Sequence, residues 1–150
     1  MMKFALFIGC NIPARVPQYE LSARAVLARL GVEVVDIREF ACCGYPMRNT
    51  DQKTALFFSA RNLALAQAEE LNVLTLCQCC FGTLKKAAHL LAADKGLRDE
   101  VNAFLEKENL RYDANTEVKH LLSLLHKDIG ESVIKETLRL SFKDLKIAAH

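Results

Sequence analysis

Three short apolar runs, each followed closely by cysteine, constrain this chain more than any other feature of its sequence. The runs cover residues 3–9, 32–37 and 73–76. The six cysteines follow them in three groups: Cys10, then Cys42 and Cys43, then Cys77, Cys79 and Cys80. Short, continuous apolar runs are typical of strands that are buried on both faces of a sheet. The chain therefore predicts three buried strands with cysteine at the end of each.

Helical patterns separate these strands, at residues 18–30 and 51–70. Strands that alternate with helices predict βαβ units and a parallel sheet. We expect an α/β fold with a helical C-terminal portion, whose helices cover residues 83–93, 97–109, 118–127 and 131–139. In such sheets ligands bind beyond the carboxyl ends of the strands. All three cysteine groups are predicted at that edge.

Composition narrows the class of protein. The 150 residues fit one domain, and 51% of them are hydrophobic, enough for a core without disulfides. The net charge is +2 and tryptophan is absent, which argues against nucleic acid as a partner. The sequence has no apolar run of the ~20 residues that a membrane span needs, and its N-terminal run is too short for a secretory signal. We expect a cytoplasmic protein, where clustered cysteines favour metal binding or catalysis over structural disulfides.

The cysteine spacing leaves three chemistries open. Cys77 and Cys80 form a C-x-x-C pair before a helix, which is typical of redox dithiols, zinc sites and iron–sulfur sites alike. A dithiol would leave the other groups idle, and a tetrahedral zinc ion needs only four ligands. Cys42 and Cys43 are adjacent, so they cannot easily form a disulfide with each other, but they can contact two metals of one cluster. Thiolates in this number favour an iron–sulfur cluster.

Other residues near the cysteines give weaker indications of a functional role. Four basic residues are candidates to offset thiolate charge or to orient an anionic substrate, although solvated surface charge is the commoner role: Arg15, Arg48, Lys85 and Lys86. Tyr45 is expected to shape the loop after Gly44, with substrate contact as its alternative role. The histidines at 89, 120 and 126 are interpreted as surface or core-edge residues rather than ligands.

The combined pattern resembles the cysteine-rich "CCG" domain. Residues 41–46 (Ala-Cys-Cys-Gly-Tyr-Pro) and 77–82 (Cys-Gln-Cys-Cys-Phe-Gly) are similar to its two signature stretches. That domain occurs, usually as two copies, in the B-type subunit of heterodisulfide reductase and in related electron-transfer subunits. The resemblance implies a non-cubane [4Fe-4S] cluster whose ligands are Cys10, Cys42, Cys43, Cys77 and Cys80. Cys79 stands where the family pattern requires no cysteine, and it is interpreted as a bystander.

The resemblance also implies an activity and partners. In the family, the cluster accepts electrons from iron–sulfur and flavin subunits and splits a small-molecule disulfide. Residues 1–150 are then one CCG domain, and residues 145–150, which echo residues 2–7, are similar to the start of a second copy. We expect the N-terminal half of a longer two-copy protein, inactive by itself. The alternatives are a zinc-binding structural or docking domain and a C-x-x-C dithiol oxidoreductase.

Overall fold

A four-stranded parallel sheet forms the centre of the protein. The structure is a computed structural model, and it describes residues 2–140 and 144–146. The strands are β1 (Met2–Phe7), β2 (Val32–Val35), β3 (Asn72–Thr75) and β4 (Val118–His120), in the order β2-β1-β3-β4. All three pairings are parallel. The predicted α/β fold with a parallel sheet is confirmed.

Helices cover both faces of this sheet. They are α1 (Asn11–Arg15), α2 (Pro17–Arg29), α3 (Gln52–Ala68), α4 (Gln78–Ala93), α5 (Lys95–Leu105), α6 (Leu121–Ser123) and α7 (Glu131–Thr137). Single 3₁₀ turns lie at Tyr45–Met47 and Glu106–Glu108, and a π-helical segment spans Leu124–Ile129. No helix in the described part of the chain is long and apolar enough to cross a membrane.

Alternation along the strands divides the core into two layers. Ala5 and Phe7 of β1 point to the layer formed by α3, α4 and α5, together with Val73 of β3. Phe4 and Leu6 point to the opposite layer, which α2 covers. Because successive strand residues face opposite sides of a sheet, a run that is apolar at every position is buried on both.

The expected helix at 118–127 is wrong at its start. Residues 118–120 form the edge strand β4, which pairs with β3, and the helical segment begins only at Leu121. The strand has only three residues, and an apolar helical stretch follows it directly. Three residues are too few for the alternation of a strand to be distinguished from the period of a helix. The expected second-copy start at 145–150 extends into residues 147–150, which lie outside the described residues.

One buried hydroxyl lacks a partner among the described residues. Tyr112 is fully buried in the α3–α5 layer, and its Oη makes no hydrogen bond there. Burial raises the pKa of this phenol to about 12. A buried polar group without a partner costs about 1–3 kcal/mol.

Tyr112→Phe is therefore expected to raise the free energy of unfolding by about 1 kcal/mol. The substitution removes the hydroxyl and keeps the ring that fills the core. Chemical denaturation monitored by circular dichroism measures the change. Tyr19→Phe serves as the control, because the Tyr19 hydroxyl does have a partner, the Leu76 carbonyl at 3.3 Å. A loss of stability in Tyr112→Phe would contradict the expectation.

Candidate metal centre

The sheet order brings the three cysteine groups to one edge. Cys10 stands immediately before α1, just after β1, and Cys77 stands immediately before α4, just after β3. β1 is the direct neighbour of both β2 and β3, so the loop after β2 that carries Cys42 and Cys43 reaches the same edge. The parallel topology therefore gathers residues that are far apart in sequence.

Five of the six thiols form a continuous series of neighbours. Cys43 and Cys80 are buried, at 3% and 4% exposure, and the Cys80 thiol donates a hydrogen bond to the Cys43 sulfur. Cys80 also interacts with Cys77, while Cys42 interacts with Cys43 and Cys10. The series Cys10–Cys42–Cys43–Cys80–Cys77 contains the five cysteines that the resemblance to the CCG domain implies as ligands.

The two buried thiols, Cys43 and Cys80, differ in how readily they lose their protons. The hydrogen bond from Cys80 lowers the pKa of Cys43 to about 6. The same bond, together with burial, raises the pKa of Cys80. At Cys42, burial is the larger cause of a raised pKa, and the nearby Cys43 and Cys10 add to it. The centre thus holds one thiol whose ionisation is favoured, Cys43, beside two whose ionisation is disfavoured, Cys42 and Cys80.

Cys79 stands apart from this series. Its side chain is exposed on α4 and lines a cavity between helices instead of facing the other sulfurs. All six cysteines are free thiols. Within residues 2–140 and 144–146, no three Cys, His, Asp or Glu side chains are arranged to hold a single metal ion.

Asn62 holds the backbone of the loop that carries Cys42 and Cys43. It is 1% exposed on α3, and its Oδ1 accepts the N–H of Ala41 at 2.9 Å. Its Nδ2 lies 3.1 Å from the Cys42 carbonyl, 3.4 Å from that of Ala41 and 2.9 Å from that of Phe58. One amide side chain thus satisfies both donors and acceptors of the loop backbone.

Ser59 holds the next residue of the same loop. It is fully buried one turn before Asn62, and its Oγ donates to the Cys43 carbonyl at 2.7 Å. Ser59→Ala leaves that carbonyl without its donor, so we expect the free energy of unfolding to fall by about 1–2 kcal/mol. Denaturant titration measures it, with Ser22→Ala at an exposed position of α2 as the control. Equal effects in the two variants would contradict the role of Ser59.

Two glycines permit close approach at the centre. Gly44 has φ +90°, and a Cβ there would lie 2.5 Å from the Ala55 carbonyl oxygen on α3. Its N–H points to the Cys42 sulfur at 3.4 Å. Gly9 has φ +72°, and a Cβ there would lie 2.8 Å from the Cys80 sulfur. Both positions combine a left-handed backbone with space that only glycine leaves free.

Two side chains that the sequence analysis did not select meet at the carbonyl before Cys77. The Tyr19 hydroxyl donates to Leu76 O at 3.3 Å, and the His120 imidazole also bonds this oxygen. His120 Nδ1 in turn accepts the N–H of Leu122 at 3.3 Å. Burial lowers the pKa of His120, so its neutral form is favoured. His120 is a core-edge residue, as expected, and it also helps to fix the turn into Cys77.

The four basic candidates take different places. Arg48 lies over the ring of Tyr45, 4.0 Å from its centroid, and Lys85 lies over Phe81 at 5.1 Å. Lys86 lines the same cavity as Cys79. Arg15 is exposed in the last turn of α1. The structure therefore brings Arg48 and Tyr45 together beside the cysteine loop.

Relatives of this chain are reductase subunits of about twice its length. It is 32% identical to the B-type subunit of a ferredoxin:CoB-CoM heterodisulfide reductase from Methanosarcina mazei, over 100% of this chain and 50% of that protein. It is 34% identical to an 8-methylmenaquinol:fumarate reductase membrane anchor subunit of Wolinella succinogenes, over 97% of this chain and 50% of that protein. The chain thus spans about half the length of these curated relatives.

A solved structure shares the fold of this chain, and a family model matches part of its sequence. The crystal structure of a hypothetical protein from Helicobacter pylori matches 83% of this chain and 25% of its own, with a TM-score of 0.75 and 25% identity. The model of the CCG cysteine-rich domain matches residues 4–85. These residues include all six cysteines and most of strands β1 to β3. They also include Gly9 and Gly44, and the α3 residues Ser59 and Asn62 that hold the Cys42–Cys43 loop. The chain belongs to the CCG cysteine-rich domain family.

Proposed function

We propose that this chain is the cluster-binding module of an iron–sulfur oxidoreductase subunit of the heterodisulfide reductase B type. The observation that carries the proposal is the series of five neighbouring thiols at the carboxyl edge of the sheet. Soft thiolates in this number suit iron and sulfide. The names of the relatives point the same way, since they are subunits of reductases.

We propose Cys10, Cys42, Cys43, Cys77 and Cys80 as the cluster ligands, and a non-cubane [4Fe-4S] cluster as the group they hold. Five thiols exceed the four ligands that a single zinc ion needs, which favours a group of several metal ions. Adjacent Cys42 and Cys43 suit contact with two different irons. Such a cluster supplies one-electron chemistry together with a soft metal site. No role as a ligand is proposed for Cys79.

Residues on α3 and a glycine in the loop fix the backbone around Cys42 and Cys43. Asn62 and Ser59 fix the loop backbone, so Cys42 and Cys43 hold their positions through α3. Gly44 lets this loop approach α3 closely. A thioredoxin-like dithiol is disfavoured, because it would use only Cys77 and Cys80 and would leave Cys43, which interacts with Cys80, and its neighbour Cys42 without a role.

The proposed substrate and partner subunits rest on the relatives. We propose a small-molecule disulfide as the substrate, with iron–sulfur and flavin subunits as the electron-transfer partners. One relative is named for CoB-CoM heterodisulfide and another for fumarate reduction, so the substrate class rests on the first of these. Because the relatives are twice as long, we propose that residues 1–150 correspond to one of two CCG copies and that the isolated copy is inactive.

Metal analysis tests the proposal directly. Protein reconstituted without oxygen is expected to hold about four irons and as many sulfides per chain and to be brown. Low-temperature electron paramagnetic resonance of the oxidised and reduced forms then separates a non-cubane cluster from an ordinary cubane. One zinc and no sulfide after anaerobic reconstitution would overturn the proposal and leave a structural metal domain.

A further inference from the structure

The carbonyl of Leu76, one residue before Cys77, lies just beyond the hydrogen-bonded ladder of the sheet. Strand β3 ends at Thr75, which pairs with Phe7 of β1 and His120 of β4. Leu76 follows and is 3% exposed. In the described part of the chain, no backbone N–H bonds its carbonyl oxygen. Because a buried backbone acceptor needs a hydrogen-bond partner, side chains have to supply the donors at this point.

Two side chains from different elements donate to this carbonyl. The hydroxyl of Tyr19, in the first turn of α2, lies 3.3 Å from the oxygen. The imidazole of His120, the last residue of β4, bonds the same oxygen. A carbonyl has two lone pairs and accepts both bonds. The turn from β3 into α4 is therefore tied to α2 and to β4 at a single atom, and either donor still holds the carbonyl when the other is lost.

The surroundings of His120 select one tautomer of its ring. Nδ1 accepts the N–H of Leu122 at 3.3 Å. A neutral imidazole has one acceptor nitrogen and one N–H, so the proton lies on Nε2, and Nε2 is the donor to Leu76. The ring also meets Phe81 of α4 edge-on, with 5.7 Å between the two ring centroids. The imidazole is thus fixed in tautomer and in orientation.

The side chain of Cys77 depends on its backbone for its direction. It makes no capping hydrogen bond to α4. On the helix side, the Cys77 carbonyl accepts the N–H of Phe81 at 2.9 Å. On the strand side, the peptide group that joins Leu76 to Cys77 is planar, so bonds to the Leu76 oxygen orient the whole group. Two fixed peptide groups therefore set where the Cys77 sulfur lies.

We propose that Tyr19 and His120 are positioning residues for Cys77 and act on it through the Leu76 carbonyl. Their two bonds fix the peptide group before Cys77, and the direction of its side chain towards Cys80 follows from that. The role at a cluster rests on the proposed function, in which Cys77 is a ligand. The bonds themselves are made by the protein chain alone, so they are open to test without iron.

Alkylation of Cys77 by iodoacetamide tests the proposal in the reduced, iron-free chain. Tyr19→Phe removes one donor, and His120→Asn removes the other but keeps a side-chain oxygen that accepts the N–H of Leu122. Fragmentation mass spectrometry locates the label, with the exposed Cys10 as internal reference. The double variant is expected to be alkylated at Cys77 at least about fivefold faster than either single variant, the factor that one hydrogen bond represents, because the turn then opens. An unchanged rate, or an equal rise at Cys10, would overturn the proposal.

His120→Gln is the matched variant, since its amide places an N–H near the position of Nε2 but leaves no acceptor at the position of Nδ1. Combined with Tyr19→Phe, it is expected to keep the Cys77 alkylation rate of Tyr19→Phe alone. If His120 only capped α6, the order would be reversed, with His120→Asn tolerated and His120→Gln not. That reverse order, or equal rates for the two double variants, would overturn the proposal. Circular dichroism checks the folding of each variant.

Two further measurements complete the test. Nitrogen NMR of the wild-type, iron-free chain needs no substitution: the His120 proton is expected on Nε2, and a proton on Nδ1 would overturn the proposal. In reconstituted protein, the double variant with His120→Asn is expected to keep its iron and to shift the paramagnetic resonance signal, because the orientation of the proposed ligand Cys77 is changed. An unshifted signal would overturn the role at the cluster. Wild-type protein that holds no iron would instead overturn the proposed function, and the alkylation rates would still decide the proposal.

Discussion

Cys10→Ala is expected to remove most of the iron and sulfide from anaerobically reconstituted protein, whereas Cys79→Ala is expected to leave both unchanged. The two residues make a matched pair, since both side chains are exposed and neither is part of the buried core. Cys10 is a neighbour of Cys42 in the thiol series, while Cys79 faces the cavity. Removal of the proposed ligand Cys10 is therefore expected to abolish or alter the proposed cluster, and removal of Cys79 is not.

Iron and sulfide analysis, with visible and paramagnetic resonance spectra, measures this difference. Circular dichroism of the iron-free variants serves as the control, because neither substitution is expected to disturb folding. The Cys10 side chain makes no capping hydrogen bond to α1, so its loss removes no helix cap. Loss of iron from Cys79→Ala together with full retention in Cys10→Ala would contradict the proposed ligand set. Retention in both would favour a site formed by the remaining cysteines alone.

Gly44→Ala is expected to lower the free energy of unfolding by at least about 2 kcal/mol. A left-handed backbone costs an L-residue ~1–2 kcal/mol. The new Cβ would also lie 2.5 Å from the Ala55 carbonyl oxygen and 2.9 Å from the Ala55 Cα, both of them backbone atoms that cannot rotate away. The loop must then separate from α3 and strain the bonds that Asn62 and Ser59 make to it.

Gly82→Ala is the matched control for this change. Gly82 lies inside α4, and a Cβ there would meet nothing within 4 Å. Alanine is the better helix former, so this variant is expected to gain about 0.5–1 kcal/mol. Denaturant unfolding of both iron-free variants measures the contrast. Similar stability in the two variants would show that the conformation of Gly44 is not required.

The sequence was sufficient to predict three of the four strands, their parallel pairing and the convergence of the cysteine groups at one edge, because all of these follow from strand topology. Apolar runs before Cys10 and Cys77 are strands, and parallel pairing brings their carboxyl ends together. The fourth strand, β4, was not predicted, because its residues were assigned to a helix. Its three residues precede Leu121 and Leu122 without a turn, so the helical periodicity extends over them.

The residues that support the site were missed for a different reason. Asn62 and Tyr19 act on backbone carbonyls that are 20 and 57 residues away in sequence. A polar residue within a helical pattern predicts solvent exposure, and only the packing of α3 against the loop makes Asn62 a buried one. Such contacts depend on tertiary structure, which periodicity and spacing do not report.

The bonds of Asn62 have a consequence for what the Cys42–Cys43 loop depends on. They hold the loop through protein groups alone, the amide side chain on α3 and the loop backbone. In small zinc domains a bound ion takes this part, since those domains fold only when the ion binds. The conformation of this loop is therefore set by the packing of α3, and a substitution that moves α3 displaces Cys42 and Cys43 together.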